Sequence, residues 1–188
     1  NTVKTGDRWL ILGASGGVGT GCVILARHLG DEVIACTSSP EKMQKLKELG
    51  ADEVINIKDV DFSKWAVEKY GKPQRRSYDG GVDVVINFTG GDTWHPSLRC
   101  LKRGGKLLVC GATAGYDPKE DLRYIWSFEL NIIGSNSFYD DDLQALMKLI
   151  AGGKMRPVID QELPLEEARE GLRLVQDREG IGKVVVPP

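Results

Sequence analysis

The 188-residue sequence has no apolar run near the roughly 20 residues that a membrane-spanning helix needs, and no signal-peptide pattern at its start. It has no excess of charge of one sign: 25 Lys and Arg stand against 27 Asp and Glu, a formal net charge of −2. No basic footprint for nucleic acid is present. Histidine is scarce, with only His28 and His95, and neither lies near a base–nucleophile pattern. The four cysteines, Cys22, Cys36, Cys100 and Cys110, show no C-x-x-C spacing. Free thiols in a reducing, cytoplasmic compartment are therefore expected rather than disulfides or a metal set. Internal repeats and low-complexity segments are lacking too. Membrane, nucleic-acid and disulfide-framework classes fall away.

Glycine is abundant, at 23 residues, and it is concentrated where chemistry needs it. Gly13-Ala14-Ser15-Gly16-Gly17-Val18-Gly19 follows an apolar run, Trp9-Leu10-Ile11-Leu12. It opens a segment with Val18, Cys22, Leu25, Ala26 and Leu29 at helical spacing. Strand, glycine turn and helix together form a dinucleotide-binding pattern. Gly16 lets backbone approach a pyrophosphate, and Gly19 lets the helix lie close on the strand. The helix start offers unpaired N–H groups and partial positive charge. In G-x-G-x-x-G register the first glycine is replaced by Ala14, which assigns the tight turn to a residue with a Cβ.

Strands and helices then alternate along the chain. Strands are expected at Arg8–Leu12, Glu32–Cys36, Glu53–Ile57, Val82–Phe88, Lys106–Cys110 and Leu130–Gly134. Helices are expected at Gly17–Leu29, Pro40–Leu49, Phe62–Tyr70, Trp94–Leu101 and Leu143–Ile150, and a short helix or irregular turn at Asp121–Glu129. Ser39 is placed as N-cap of the second helix, and Arg103-Gly104-Gly105 as the end of the fourth. This rhythm implies an α/β fold: a doubly wound, mostly parallel sheet of Rossmann type with helices on both faces and a ligand at the strands' carboxyl ends. The division expected is a dinucleotide-binding domain over residues 1–154 and a strand–helix–strand tail over 155–188, with strands at Pro157–Glu162 and Gly182–Val186 around a helix at Leu165–Asp177. The abrupt start, with Asn1–Asp7 leading straight into a core strand, suggests a piece of something longer.

Several passages, in order, resemble the nucleotide-binding domain of the medium-chain dehydrogenase/reductase family, which includes zinc alcohol dehydrogenases and quinone oxidoreductases. They are Gly6-Asp7, Gly13–Gly19, Leu49–Asn56, Gly81–Asn87, Gly104-Gly105-Lys106, Pro164–Ala168 and Gly182–Val186. The resemblance implies an amino-terminal catalytic domain that holds the substrate pocket and any zinc ligands. Zinc is not expected in this chain, whose tail strands would complete that absent domain. It also implies a homodimer through the sheet edge near Ile125–Ile133. Trp126 and Phe128 lie on this stretch.

Cofactor choice is read at the end of the second strand, where an NAD site wants a carboxylate for the ribose 2′-OH. Here stand Cys36-Thr37-Ser38-Ser39, with Lys42 one turn on. Hydroxyls and a lysine favour NADP(H) over NAD(H), and removing the Lys42 charge is expected to weaken NADPH and spare NADH. The bland alternative is that Ser39 only caps a helix and Lys42 is a solvated surface residue. Ser15, Gly16, Gly17, Val18 and Gly19 are assigned to the pyrophosphate, and Thr37, Ser38, Ser39 and Lys42 to the 2′-phosphate. By resemblance, Phe88, Thr89, Gly90, Gly111, Ala112, Thr113 and Ser137 line the nicotinamide half. The function expected is hydride transfer between nicotinamide and a carbonyl, an alcohol or an activated alkene. A small-molecule substrate would sit against the missing domain, leaving this chain inactive alone. The alternatives are a non-catalytic dinucleotide module or sensor and, more distantly, an S-adenosylmethionine methyltransferase, which usually carries an acid where Thr37 stands.

Overall fold

The computed structural model describes residues 3–187. Six parallel strands form one sheet in the order β3-β2-β1-β4-β5-β6. These are β1 (Arg8–Ile11), β2 (Glu32–Thr37), β3 (Glu53–Asn56), β4 (Val82–Ile86), β5 (Leu101–Val109) and β6 (Asn131–Gly134). The central strands carry apolar residues on both faces because both are covered. On one face α1 (Gly17–Leu29) and α2 (Met43–Glu48) bury Val23, Ala26 and Leu46 against Trp9, Ile11, Val33 and Val84. On the other, α3 (Phe62–Tyr70) and α4 (Trp94–Cys100) bury Phe62, Ala66 and Leu98 against Leu10, Ile34, Val85 and Leu107. Tyr124 and Phe128, carried by and just after α5 (Leu122–Ser127), pack onto that second core. The doubly wound expectation holds. Because all strands run the same way, the segments after β1, β2, β4, β5 and β6 collect at one edge. The strand order reverses between β1 and β4, which opens a crevice there.

Three expectations are corrected by local geometry. The fourth helix does not end on Arg103-Gly104-Gly105. It stops at Cys100, and β5 begins at once, so those glycines lie inside the strand. Gly104 has φ +71° and a Cβ on Gly105 would stand 2.8 Å from the Lys102 carbonyl oxygen. The pair makes a bulge where the β4–β5 register shifts between Val82 and Val84. The second helix is split: Pro40–Lys42 form a 3-10 turn before α2. Ser39 occupies the N-cap position, but its hydroxyl makes no capping bond.

The tail is not loose. β7 (Ile159–Glu162) and β8 (Lys183–Val185) pair in parallel as a separate two-stranded sheet. Between them α7 (Ala168–Gln176) buries Leu174. The remaining helix, α6 (Asp140–Ala151), buries none of its side chains, and its Leu143 and Met147 stand exposed. No helix among the described residues is long and apolar enough to cross a membrane.

Candidate functional site: the carboxyl edge of the sheet

The turn after β1 is closed by the Gly16 N–H donating to the Gly13 carbonyl at 3.0 Å, so Ala14 stands inside it as expected, while the positive φ, +63°, falls on Gly13. A Cβ on Gly13 would stand 2.9 Å from the Phe88 ring. Ala14 keeps a negative φ, so its Cβ is tolerated in the turn. It is fully buried and donates its N–H to the Cys36 carbonyl at 2.9 Å, tying the turn to β2. Gly16 is the N-cap of α1 in extended backbone, with no side chain capping the helix start. The nearest heavy atom to a Cβ on Gly16 would be the Gly13 carbonyl oxygen, 3.5 Å away, so the backbone here is open to approach. Gly19 differs: a Cβ there would overlap the Gly13 carbonyl oxygen and stand 2.6 Å from the Ala14 Cα. Helix α1 can start where it does only because residue 19 has no side chain.

At the end of β2 the Thr37 hydroxyl is buried. It lies 3.3 Å from the Ser15 hydroxyl and accepts the Ser39 N–H at 3.2 Å. Thr37 thus joins the glycine turn to the 3-10 turn and has little hydroxyl left for a ligand. Ser38 and Ser39 are half-buried at the same rim, and the nearest acid in sequence, Glu41, is exposed in the 3-10 turn that follows. Lys42 departs from both readings of it. It is only 7% exposed, and its ammonium donates to the backbone carbonyls of Arg178 at 2.5 Å and Gly180 at 2.7 Å. It is neither a solvated surface residue nor a cation open to a 2′-phosphate: it is the fastening of the tail.

The tail reaches further. Gly182 bridges Gly16, donating its N–H to the Ser15 carbonyl at 2.9 Å. The side chain of Lys183 runs over Gly17, and its ammonium lies 3.0 Å from where a Cβ at residue 17 would stand. Glycine at 17 leaves room for that chain, and Lys183 puts a positive charge over the first turn of α1. Sequence reasoning assigned Lys183 to a closing strand and gave it no role, because nothing local links it to the glycine turn.

Beyond β4, Asn87 organises the loops. Its buried side-chain oxygen accepts the N–H groups of Thr89 and Gly90, each at 2.9 Å. Its amide nitrogen donates to the hydroxyls of Thr93 at 3.1 Å and Ser97 at 3.0 Å. Gly90, at φ +68°, would with a Cβ overlap the Gly115 carbonyl oxygen. Gly91 N–H donates to Gly115, Thr113 N–H to Phe88 and Ala114 N–H to Thr89. The loops after β4 and β5 are therefore zipped into one wall containing Phe88, Thr89, Gly90 and the exposed Gly111, Ala112 and Thr113. Ser137, at φ +59°, sits exposed after β6. Asn87 belongs to the Gly81–Asn87 stretch, and nothing in its sequence neighbourhood marks it as the lock of this wall.

All four thiols are free, and Cys110 is exposed at the end of β5. Burial, with Cys110 nearby, pushes the Cys22 thiol up to about 11, so it is a neutral thiol at ordinary pH. Among the described residues no group of three or more His, Cys, Asp or Glu side chains is placed to hold a metal ion.

Residues 17–152 match the zinc-binding dehydrogenase family. The chain belongs to that family. Acryloyl-coenzyme A reductase of Sulfurisphaera tokodaii is 33% identical over 190 residues, which cover 99% of this chain and 52% of that protein. Crotonyl-CoA reductase of Streptomyces collinus is 31% identical over 194 residues, covering 98% and 43%. Among solved structures, a 2-octenoyl-CoA carboxylase reductase in complex with NADP and 2-octenoyl-CoA superposes with a TM-score of 0.88 at 32% identity, covering 98% of this chain and 44% of that one. An NAD-dependent alcohol dehydrogenase gives 0.88 at 32% identity, covering 99% and 52%. The chain spans about half the length of the curated relatives it matches. Family membership sets the methyltransferase reading aside.

Proposed function

We propose that this chain is the dinucleotide-binding part of an oxidoreductase that uses NADP(H) in preference to NAD(H) and reduces an activated alkene carried as a thioester. The observation that carries this reading is the constellation at the carboxyl edge: an open glycine turn at an uncapped helix start, a lysine laid over it, and a rim that ends β2 in Thr37-Ser38-Ser39 rather than a carboxylate. The amides of Ser15–Gly19 and the Lys183 ammonium suit a pyrophosphate. The hydroxyls of Ser38 and Ser39 suit a 2′-phosphate. Lys42 can join them only by exchanging its carbonyl partners for phosphate oxygens. The wall from Phe88 to Thr113, with Ser137, suits the nicotinamide half. When bound, the nicotinamide supplies the hydride; the residues of this chain hold and orient it and keep water from one side.

The relatives' names support the substrate class, and the half-length coverage supports a substrate pocket completed by a further domain, to which residues 155–188 belong. The four free thiols support a cytoplasmic enzyme. A homodimer through β6 is part of this reading. That strand ends the sheet; Ile132 within it and Trp126 on the preceding helix α5 are exposed. Calorimetric titration with NADPH and NADH tests the cofactor. NADPH is expected to bind more tightly, and tighter NADH binding overturns the reading. A non-catalytic module would bind the cofactor equally well, so turnover of enoyl thioesters by the full-length protein separates the two. The chain alone is expected to show none.

A further inference from the structure

β4 is buried from Val82 to Ile86, and the first residue beyond it, Asn87, has no exposed surface at all. Its backbone still belongs to the sheet, with its N–H donating to the Leu108 carbonyl at 2.9 Å. Its side chain meets Ser97 of α4, while the Phe88 ring packs on the opposite core beside Gly13. A primary amide can accept two hydrogen bonds at oxygen and donate two from nitrogen. Asn87 makes all four: it accepts from the Thr89 and Gly90 N–H groups and donates to the Thr93 and Ser97 hydroxyls. Each hydroxyl donates its own proton to a backbone carbonyl, Thr93 to Gly90 and Ser97 to Thr93, both at 2.7 Å. The direction of every bond is therefore set. Turning the amide over would face its N–H groups with two backbone N–H groups. Aspartate would keep the bonds at oxygen, but would set a second acceptor against hydroxyls whose protons are already committed.

The backbone this amide holds is of a kind that does not hold itself. Gly90 stands at φ +68° and ψ −149°, a region open essentially to glycine alone, where strain persists only if the surroundings impose it. The loop after β5 then follows the loop after β4, because Gly91, Thr113 and Ala114 exchange backbone bonds across the gap. None of the hydrogen-bond partners of Asn87 lies on the β2 rim or in the tail. An amide that served stability alone could sit anywhere in the core. This one sits at the carboxyl end of a central strand, beside the crevice where the strand order reverses.

We propose that Asn87 is a positioning residue for the nicotinamide half of the site. With no exposed surface, it does not touch the ligand; it fixes the backbone of Phe88–Gly90 and, through it, of Ala112–Ala114, against which the ring lies. This rests on the dinucleotide reading above. It adds that the two halves of the cofactor are held by separate devices, so that one can be loosened without the other.

The test compares two ligands on the full-length protein by calorimetry: NADPH, and adenosine 2′,5′-bisphosphate, which has the adenine half and lacks the nicotinamide. Asn87→Ala is expected to weaken NADPH at least about ten-fold, the scale of buried N–H groups left unpaired, and to change the bisphosphate by less than about two-fold. Thr93→Val keeps the shape of its side chain and removes one hydroxyl, so it decides the matter if Asn87→Ala does not fold. It is expected to weaken NADPH about three-fold and again to spare the bisphosphate. A merely structural role would weaken both ligands together or neither. Parallel losses, or unchanged NADPH affinity in the folded variants, overturn the proposal. If the unaltered protein binds neither ligand, the dinucleotide reading fails and this one with it; if it binds both and the variants lose both alike, this one fails alone.

Discussion

Replacing Lys42→Met removes a buried ammonium while keeping most of its length. In the intact protein that ammonium donates to two tail carbonyls, Arg178 at 2.5 Å and Gly180 at 2.7 Å. A hydrogen bond to a charged group contributes about 1.5–3 kcal/mol. Two such bonds would suggest twice that, but burying the charge costs part of it. A net loss of about 1.5–3 kcal/mol in tail docking follows. Each 1.4 kcal/mol is about a factor of ten, so the segment before β8 should open roughly ten- to a hundred-fold more often. Amide hydrogen exchange reads this directly. The Gly182 N–H, held by the Ser15 carbonyl, and the Lys183 N–H, held by Val158, should exchange faster. The Leu12 N–H, held by Ile86 inside the sheet, should not change. Loosening the tail also withdraws Lys183 from Gly17, so NADH binding should weaken too, and NADPH by more. This outcome differs from the simpler expectation that NADH is spared, and titration with NADH separates the two. Unchanged exchange at Gly182 would refute the fastening role.

Three further outcomes are expected. Gly19→Ala drives a Cβ into the backbone of Gly13 and Ala14, which cannot swing aside. Overpacking of that kind costs about 1–3 kcal/mol, and a urea midpoint equal to that of the unaltered protein would contradict it. Asp61 caps α3 through the N–H groups of Ser63 and Lys64, and Asp61→Ala should cost about 1 kcal/mol at pH 7. Burial acts to raise the Asp61 pKa, but hydrogen bonds from the Ser63 hydroxyl and those amides outweigh it, so the folded value is depressed. A depressed carboxylate stabilises above its unfolded pKa, near 4, and loses that contribution as pH falls through the folded value. The urea-denaturation gap between the two proteins should therefore close on acidification, and a gap independent of pH would count against the cap. Trp126 is 71% exposed beside the β6 edge. If two copies meet there, Trp126→Glu should shift the mass seen by light scattering from dimer to monomer. A dimer unmoved by the change would place the contact elsewhere.

The sequence by itself determined the layered sheet. Continuous apolar strands such as Val82–Ile86, the amphipathic helices between them and the glycine turn are local patterns. Neighbours within a few residues decide them, so element order and the edge that carries the candidate site were legible. Local reading failed where the choice of partner is not local. It put Ala14 in the tight turn but did not show that the positive φ falls on Gly13 while Ala14 is buried against β2. It took Arg103-Gly104-Gly105 for a helix end, because a glycine pair reads the same in a cap and in a strand bulge. Tertiary structure alone decided that Lys42 holds the tail, that Lys183 lies over Gly17 and that Asn87 locks two loops. A long charged side chain can reach many partners, and burial selects the one that satisfies it. That selection depends on which distant backbone the fold brings alongside, which no short window of sequence contains.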